Sequence, residues 1–234
     1  MDARAPLPPE RKPILCYVTD RRALSTAHLP VTGLDGPSVP ALRSAIHNAA
    51  VSGVSWIQIR EKDLEGGVLT HLSRLAVEEA RAHGTSVFIN DRLDVAMAVN
   101  AAGVHLRENS LPLEAVAQWR RTVGRANFQI GVSCHSLRAA RSAELDGADY
   151  IYFGPVFATP SKTSFGPPQG IEKLREVCAS LNIPVLAIGG VTFENARACL
   201  GAGAAGIAAI RLFQNAENAD ELATHVQLLL HGAT

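Results

Sequence analysis

The strongest constraint on this chain is a repeat: short runs of Val, Ile and Leu alternate with amphipathic stretches along its whole length. The apolar runs lie at 14–19, 54–60, 87–90, 103–106, 128–132, 149–153, 184–188 and 205–210. Helical spacing follows at 39–51, 66–83, 92–100, 113–122, 136–146, 171–181, 193–200 and 219–230, as in the Leu69, Leu72, Leu75, Ala76 face of the second stretch. Gly84, Gly147 and Gly201 stand where those helices should stop. A strand that must return through a helix pairs in parallel with the next, so alternation predicts a parallel sheet covered by helices. Eight such units predict closure into a (β/α)8 TIM barrel of the α/β class, and 234 residues suit one such domain. An open doubly wound sheet is the rival, but no Gly-x-Gly-x-x-Gly follows the first run.

The chain divides into an N-terminal tail, 1–13, rich in Pro and charge, and a barrel domain, 14–234. Its formal net charge is +0, which gives no electrostatic case for nucleic acid or an anionic membrane and leaves a small molecule as the expected partner. No apolar run reaches the roughly 18 residues a membrane span needs, and the tail holds no signal-peptide stretch. Cys16, Cys134, Cys178 and Cys199 are scattered without a C-x-x-C pair, so reduced thiols in a cytoplasmic protein are expected.

Barrel ligands meet the C-terminal ends of the strands, and the unusual polar residues fall there. In the second run Gln58, Arg60 and Lys62 share one face by alternation, and Ile57 and Ile59 the other. A guanidinium in a barrel mouth needs an anion; Arg and Lys together suit a phosphate or pyrophosphate, unless Glu61 or Asp63 pairs with them internally. Asn90 and Asp91 end the third run. Asp91 either caps the next helix or binds Mg²⁺, with Asn90 on a substrate. Ser133 is a candidate hydrogen-bond donor at the end of the fifth run. His135 reads as a packing residue, and no acid follows at a spacing that makes a Ser-His-Asp set. The segment 154–170 is long, carries Thr159, Ser161 and Lys162, and reads as a lid over a phosphate. Gly189 and Gly190, with Ile210 and Arg211 at the end of the eighth run, occupy the usual phosphate site of a barrel.

These residues together resemble the thiamine-phosphate synthase and thiazole tautomerase superfamily. The resemblance rests on Gln58-Ile59-Arg60-Glu61-Lys62, Ile89-Asn90-Asp91-Arg92, Gly103-Val104-His105-Leu106, Val132-Ser133-Cys134-His135, the block from Gly147 to Lys162, and the stretch from Ile183 to Gly190. It implies a TIM-barrel transferase that joins a hydroxymethylpyrimidine pyrophosphate to a thiazole phosphate and releases pyrophosphate. It implies that Arg60, Lys62 and Lys162 hold the pyrophosphate and that Gln58, Asn90 and Ser133 contact the pyrimidine or the leaving group. Asp91 would bind Mg²⁺. Thr159, Ser161, Gly189, Gly190, Ile210 and Arg211 would line the thiazole phosphate site. The chain departs from the pattern at Ser110, where the family carries a second metal-binding aspartate, at Arg107 in place of a glycine, and at Arg211 in place of a small residue. These departures resemble the tautomerase branch, whereas Pro155 after Phe153-Gly154 is synthase-like. A synthase is the expected activity; a tautomerase, or a barrel that binds thiamine precursors without turnover, is the alternative. A homodimer is compatible with this reading.

Overall fold

Each apolar run is too short to bury itself alone, and eight of them close into one ring. The computed structural model describes residues 12–24, 38–159, 167–214 and 219–231. The strands are β1 (Ile14–Val18), β2 (Trp56–Ile59), β3 (Ser86–Asn90), β4 (Gly103–Leu106), β5 (Gln129–Cys134), β6 (Tyr150–Phe153), β7 (Val185–Ile188) and β8 (Gly206–Ala209). They pair in parallel in chain order, and β1 closes the barrel against β8 with Cys16 opposite Ala208. The connecting helices are α1 (Ser38–Val51), α2 (Gly66–Arg81), α3 (Leu93–Ala98), α4 (Leu113–Thr122), α5 (Leu137–Leu145), α6 (Gly170–Ser180), α7 (Phe193–Gly201), α8 (Arg211–Gln214) and α9 (Ala219–His231).

Strand alternation sorts the side chains into two cores. Ile57, Ile59, Ile89, Val104, Ile130, Ile151, Ala187 and Ile207 face the helices. Cys16, Val18, Phe88, Tyr150, Tyr152, Leu186 and Ala208 fill the ring, with Trp56 against them. The ring is crowded because four aromatic side chains meet in it: Trp56 lies 4.8 Å from Phe88 and 4.7 Å from Tyr150 between ring centroids, and Tyr152 lies 5.6 Å from Tyr150. Gly131 makes room for this, since a Cβ there would sit 2.1 Å from the Tyr150 ring.

Several details differ from the sequence reading, three of them with a plain local cause. β2 begins at Trp56 rather than at 54, because Gly53 turns the chain at φ +91°. Asp149 stays outside β6, its carboxylate accepting from the Ile130 amide at 2.7 Å and pairing with Arg120. α7 runs through Gly201, and the left-handed residue after it is Gly203 at φ +97°, not Gly201. The predicted stops at Gly84 (φ +71°) and Gly147 (φ +99°) do adopt left-handed backbone.

Candidate active site at the C-terminal rim of the barrel

β2 delivers Gln58 into the ring and Arg60 to its rim. Gln58 is buried, and its Nε2 donates to Asn90 Oδ1 at 3.0 Å, joining the ends of β2 and β3. Its Oε1 is buried without a partner among the described residues. The Arg60 amide donates to Thr19 Oγ1 at 2.9 Å, and the Thr19 amide donates to the Gln58 carbonyl at 2.9 Å, which fixes the strand end.

The carboxylates beside Arg60 are taken by another residue, Arg21, in the turn after β1. Its guanidinium donates to Glu61 at 3.1 Å and to both oxygens of Asp63 at 2.6 and 2.7 Å. The Arg21 amide also donates to both Glu61 oxygens at 3.2 Å. Arg22 adds a bond to Asp63 at 2.7 Å. Burial pushes the Glu61 carboxyl above its ordinary value, against the opposing bonds from Thr19 and Arg21. The Arg21 guanidinium holds Asp63 well below the usual carboxylate range. Among the described residues, Arg60 and Lys62 have no ion-pair partner. Burial lowers the pKa of Arg60, and partial burial with the nearby Arg60 and Arg107 lowers that of Lys62. A site that disfavours its own cations by desolvation and mutual repulsion is one an anion would relieve.

Below the rim lies a polar network. His105, buried and on the inward face of β4, stacks on Tyr152 at 3.9 Å between centroids. Its Nε2 meets Ser133 Oγ at 2.9 Å and its Nδ1 meets Tyr150 Oη at 3.3 Å. Tyr152 Oη is 2.9 Å from Cys16 Sγ. Burial raises the Tyr150 and Tyr152 hydroxyls well above their ordinary value and the Cys16 thiol to about 12, so all three stay protonated at neutral pH. His105 was within reach of the sequence reading, because alternation from Gly103 places it inward as it places Gln58. Arg21 carried no such signal, being set by a turn rather than a strand.

Asp91 does not cap α3, whose N-cap residue is Arg92, with no side-chain bond to the helix-end amides. Its backbone is left-handed at φ 60°, turning the carboxylate toward the loop after β4. There its Oδ1 accepts from the Arg107 amide at 3.1 Å, and its Oδ2 pairs with the Arg107 guanidinium. Burial raises the Asp91 pKa, but bonds from Ser110 and Arg107 outweigh it and leave the group below its ordinary value. The position expected to supply a second metal carboxylate thus holds a hydroxyl that donates to the first. Mg²⁺ commonly takes one or two carboxylates and completes its shell with water and substrate phosphate. Asp91 alone fits that role when the Arg107 side chain, 59% exposed, turns away.

The loops after β6 and β7 are zipped together. The Val156 amide donates to the Ile188 carbonyl and the Phe157 amide to the Gly189 carbonyl, both at 2.9 Å. Gly189 and Gly190 are left-handed, at φ +93° and +67°. A Cβ on Gly190 would lie 2.6 Å from the Ala158 carbonyl oxygen and 2.8 Å from Phe157 Cβ. Asn195 Nδ2 donates to the Gly190 carbonyl at 3.0 Å. Ile210 follows β8, its carbonyl accepting from Phe213 and Gln214, and Arg211 opens α8 as an exposed residue. Gln214 Nε2 donates to Tyr17 Oη at 2.9 Å, tying α8 to β1. Thr159 is half-buried where the β6 loop leaves the described residues. Ser161 and Lys162 lie outside them. His135 packs with its Nδ1 against the Gly154 carbonyl, and Ser136 caps α5 by accepting from Ala139 at 3.1 Å.

Residues 33–213, most of the chain, match the family model described as thiamine monophosphate synthase. A thiamine-phosphate synthase of Methanocella arvoryzae is 40% identical over 182 residues, 78% of this chain and 84% of that protein. One of Roseiflexus castenholzii is 36% identical over 206 residues, covering 88% of this chain and 83% of its own. Among solved structures, the thiamine phosphate pyrophosphorylase of Pyrococcus furiosus superposes with a TM-score of 0.74 at 34% identity. That match covers 93% of this chain and 97% of the other.

Proposed function

Since the chain belongs to the thiamine monophosphate synthase family, we propose that it performs the synthase reaction itself, joining hydroxymethylpyrimidine pyrophosphate to thiazole phosphate and releasing pyrophosphate. The observation that carries the assignment of the site is the pair Arg60 and Lys62, which make no ion pair among the described residues while Arg21 takes Glu61 and Asp63.

In the reaction the bond between the pyrimidine methylene and the pyrophosphate oxygen breaks, and its electron pair leaves with the pyrophosphate. The thiazole nitrogen lone pair then forms the new C–N bond. The nitrogen carries no proton, so no general base is required. The demand on the protein is to stabilise charge on the leaving group and to hold the two rings in line. Arg60 and Lys62 are assigned to the pyrophosphate, joined by Lys162 from the lid. Gln58, through its unpartnered carbonyl oxygen, and Asn90 are assigned to the polar edge of the pyrimidine. Ser133 is held by His105 and is assigned to the same ring or the leaving group. Asp91 would hold Mg²⁺, which when bound supplies further positive charge at the departing pyrophosphate. Thr159, Ser161, Gly189, Gly190, Ile210 and Arg211 are assigned to the thiazole phosphate, in the loops after β6, β7 and β8.

The test is release of pyrophosphate when both phosphorylated precursors and Mg²⁺ are supplied. A signal no greater than that of an Asp91→Ala control removes the reading. One observation favours a second activity, thiazole tautomerisation: Arg107 and Ser110 already occupy the Asp91 carboxylate. That activity would interconvert thiazole isomers at a rate EDTA leaves untouched. Among the described residues no helix is long and apolar enough to cross a membrane. A cytoplasmic setting is part of the proposal, supported by four free thiols. So is pairing into a homodimer, for which molar mass by light scattering is the check.

A further inference from the structure

Away from the rim, toward the opposite end of the barrel, α1 and α2 bring three metal-ligating side chains together. His47 Nδ1 lies 2.7 Å from Glu79 Oε1, and His83 Nε2 lies 3.8 Å from the same oxygen. One ligand atom from each of the three residues falls within 4.8 Å of the others. Among the described residues this is the one group of three or more His, Cys, Asp or Glu side chains so placed. The rings of His47 and His83 meet edge to face with centroids 5.9 Å apart.

The arrangement follows from local structure. Glu79 lies in the last turn of α2 and His83 two residues past its end, where Ala82 keeps helical backbone, so as an i,i+4 pair their side chains lie on one face. The His83 amide donates to the Ala80 carbonyl at 3.1 Å, and Gly84 turns left-handed directly after, which keeps His83 against that turn. His47 comes from the facing side of α1. Beside the three residues is a cleft of ≈ 380 Å³ whose lining includes Ile46, Leu75 and Ala76.

We propose that His47, Glu79 and His83 form a Zn²⁺ site that cross-links α1 to α2, with water in the fourth position. Zinc binds imidazole nitrogen and carboxylate oxygen at about 2.0–2.2 Å, and a tetrahedron of that size sets its ligand atoms about 3.3–3.5 Å apart. The two measured separations bracket that value, and all three side chains have free surface over which to adjust, at 53%, 38% and 32% exposure. Two neutral imidazoles and one carboxylate leave a net charge of +1 with the ion bound. Arg43, one helical turn before His47, opposes binding and is exposed enough to turn away. Imidazole favours zinc over magnesium, so the site does not compete for the metal expected at the rim. Its position among the helices, far from Arg60, makes it a clamp on stability and not a part of the transfer reaction.

The test uses the full chain stripped with EDTA and titrated with zinc chloride by calorimetry. One equivalent should bind and raise the Tm, and Co²⁺ in its place should show the absorption of a tetrahedral ion. Changing a residue behind a metal ligand typically costs 10–100-fold in affinity, so removing a ligand should cost at least about tenfold. His47→Ala, Glu79→Gln and His83→Ala should each do so while leaving the metal-free Tm nearly unchanged. Excess Mg²⁺ should displace nothing. Absence of uptake by the wild type overturns the proposal. So does equal uptake by all three variants, which would place the ion elsewhere, for instance at Cys178. Neither result bears on pyrophosphate release.

Discussion

Arg21 contacts Glu61 through both side chain and amide and Asp63 through its side chain, and this one residue sets the charge state of the rim. Arg60→Ala and Lys62→Ala should each weaken pyrophosphate binding by about 1–3 kcal/mol, read by calorimetry, with little change in urea midpoint since neither side chain has an ion pair to lose among the described residues. Unchanged affinity would return both residues to a structural role. Arg21→Ala should behave in the opposite way. The Glu61 side chain is 1% exposed, and removing one partner of a buried pair typically costs about 3–5 kcal/mol, visible in the urea midpoint. Arg107 predicts a third outcome. Arg107→Ala removes the guanidinium from Asp91 Oδ2 and keeps the amide bond to Oδ1, so Mn²⁺ used as a paramagnetic reporter should bind the variant more tightly than the wild type by severalfold. Equal affinity would mean that the ion does not use Asp91. Gln58, Arg60 and Asn90 were legible in the sequence because a strand has a fixed two-residue period. Arg107 and Ser110 stood out there only as departures from a family pattern, and their joint hold on Asp91 depends on the path of the loop after β4.

At the scale of elements, the eight strands were read within a few residues because each ends where a turn or glycine interrupts an apolar run. α8 was missed for a physical reason: four residues make about one turn, too few to show a period. Its position is fixed by tertiary contacts, among them the bond from Gln214 to Tyr17, 197 residues earlier in the chain. Gly189 and Gly190 were read as backbone left bare for a ligand. The structure adds a packing requirement, since the β6 loop lies against both. Gly190→Ala places a Cβ 2.6 Å from the Ala158 carbonyl oxygen at a φ of +67°. It should therefore lower stability by more than about 1 kcal/mol and shift the loop that leads toward Thr159. The checks are the urea midpoint and proteolysis within 154–170. A variant as stable and as resistant as the wild type would show that the two loops do not depend on each other.

For the molecule as a whole, eight repeated units were enough to specify a ring, and alternation on β2 to place Gln58 and Arg60 at its mouth, whereas the polar network around His105 was not read. Alternation did not show how the aromatic rings would share the space, which depended on Gly131 lying opposite Tyr150. The formal net charge is +0, so the protein as a body exerts no long-range pull on a pyrophosphate. Any attraction comes from the few ångströms around Arg60 and Lys62, where Arg21 holds Glu61 and Asp63. Such a field decays over a screening length of about 8 Å at physiological ionic strength and about 30 Å at 0.01 M. Encounter with the doubly phosphorylated precursor should thus quicken steeply only in dilute buffer, and its association rate, followed by stopped flow, should flatten toward the ordinary diffusive range well before physiological salt. The protein would then depend on how long it retains its cargo more than on how far away it can draw it in.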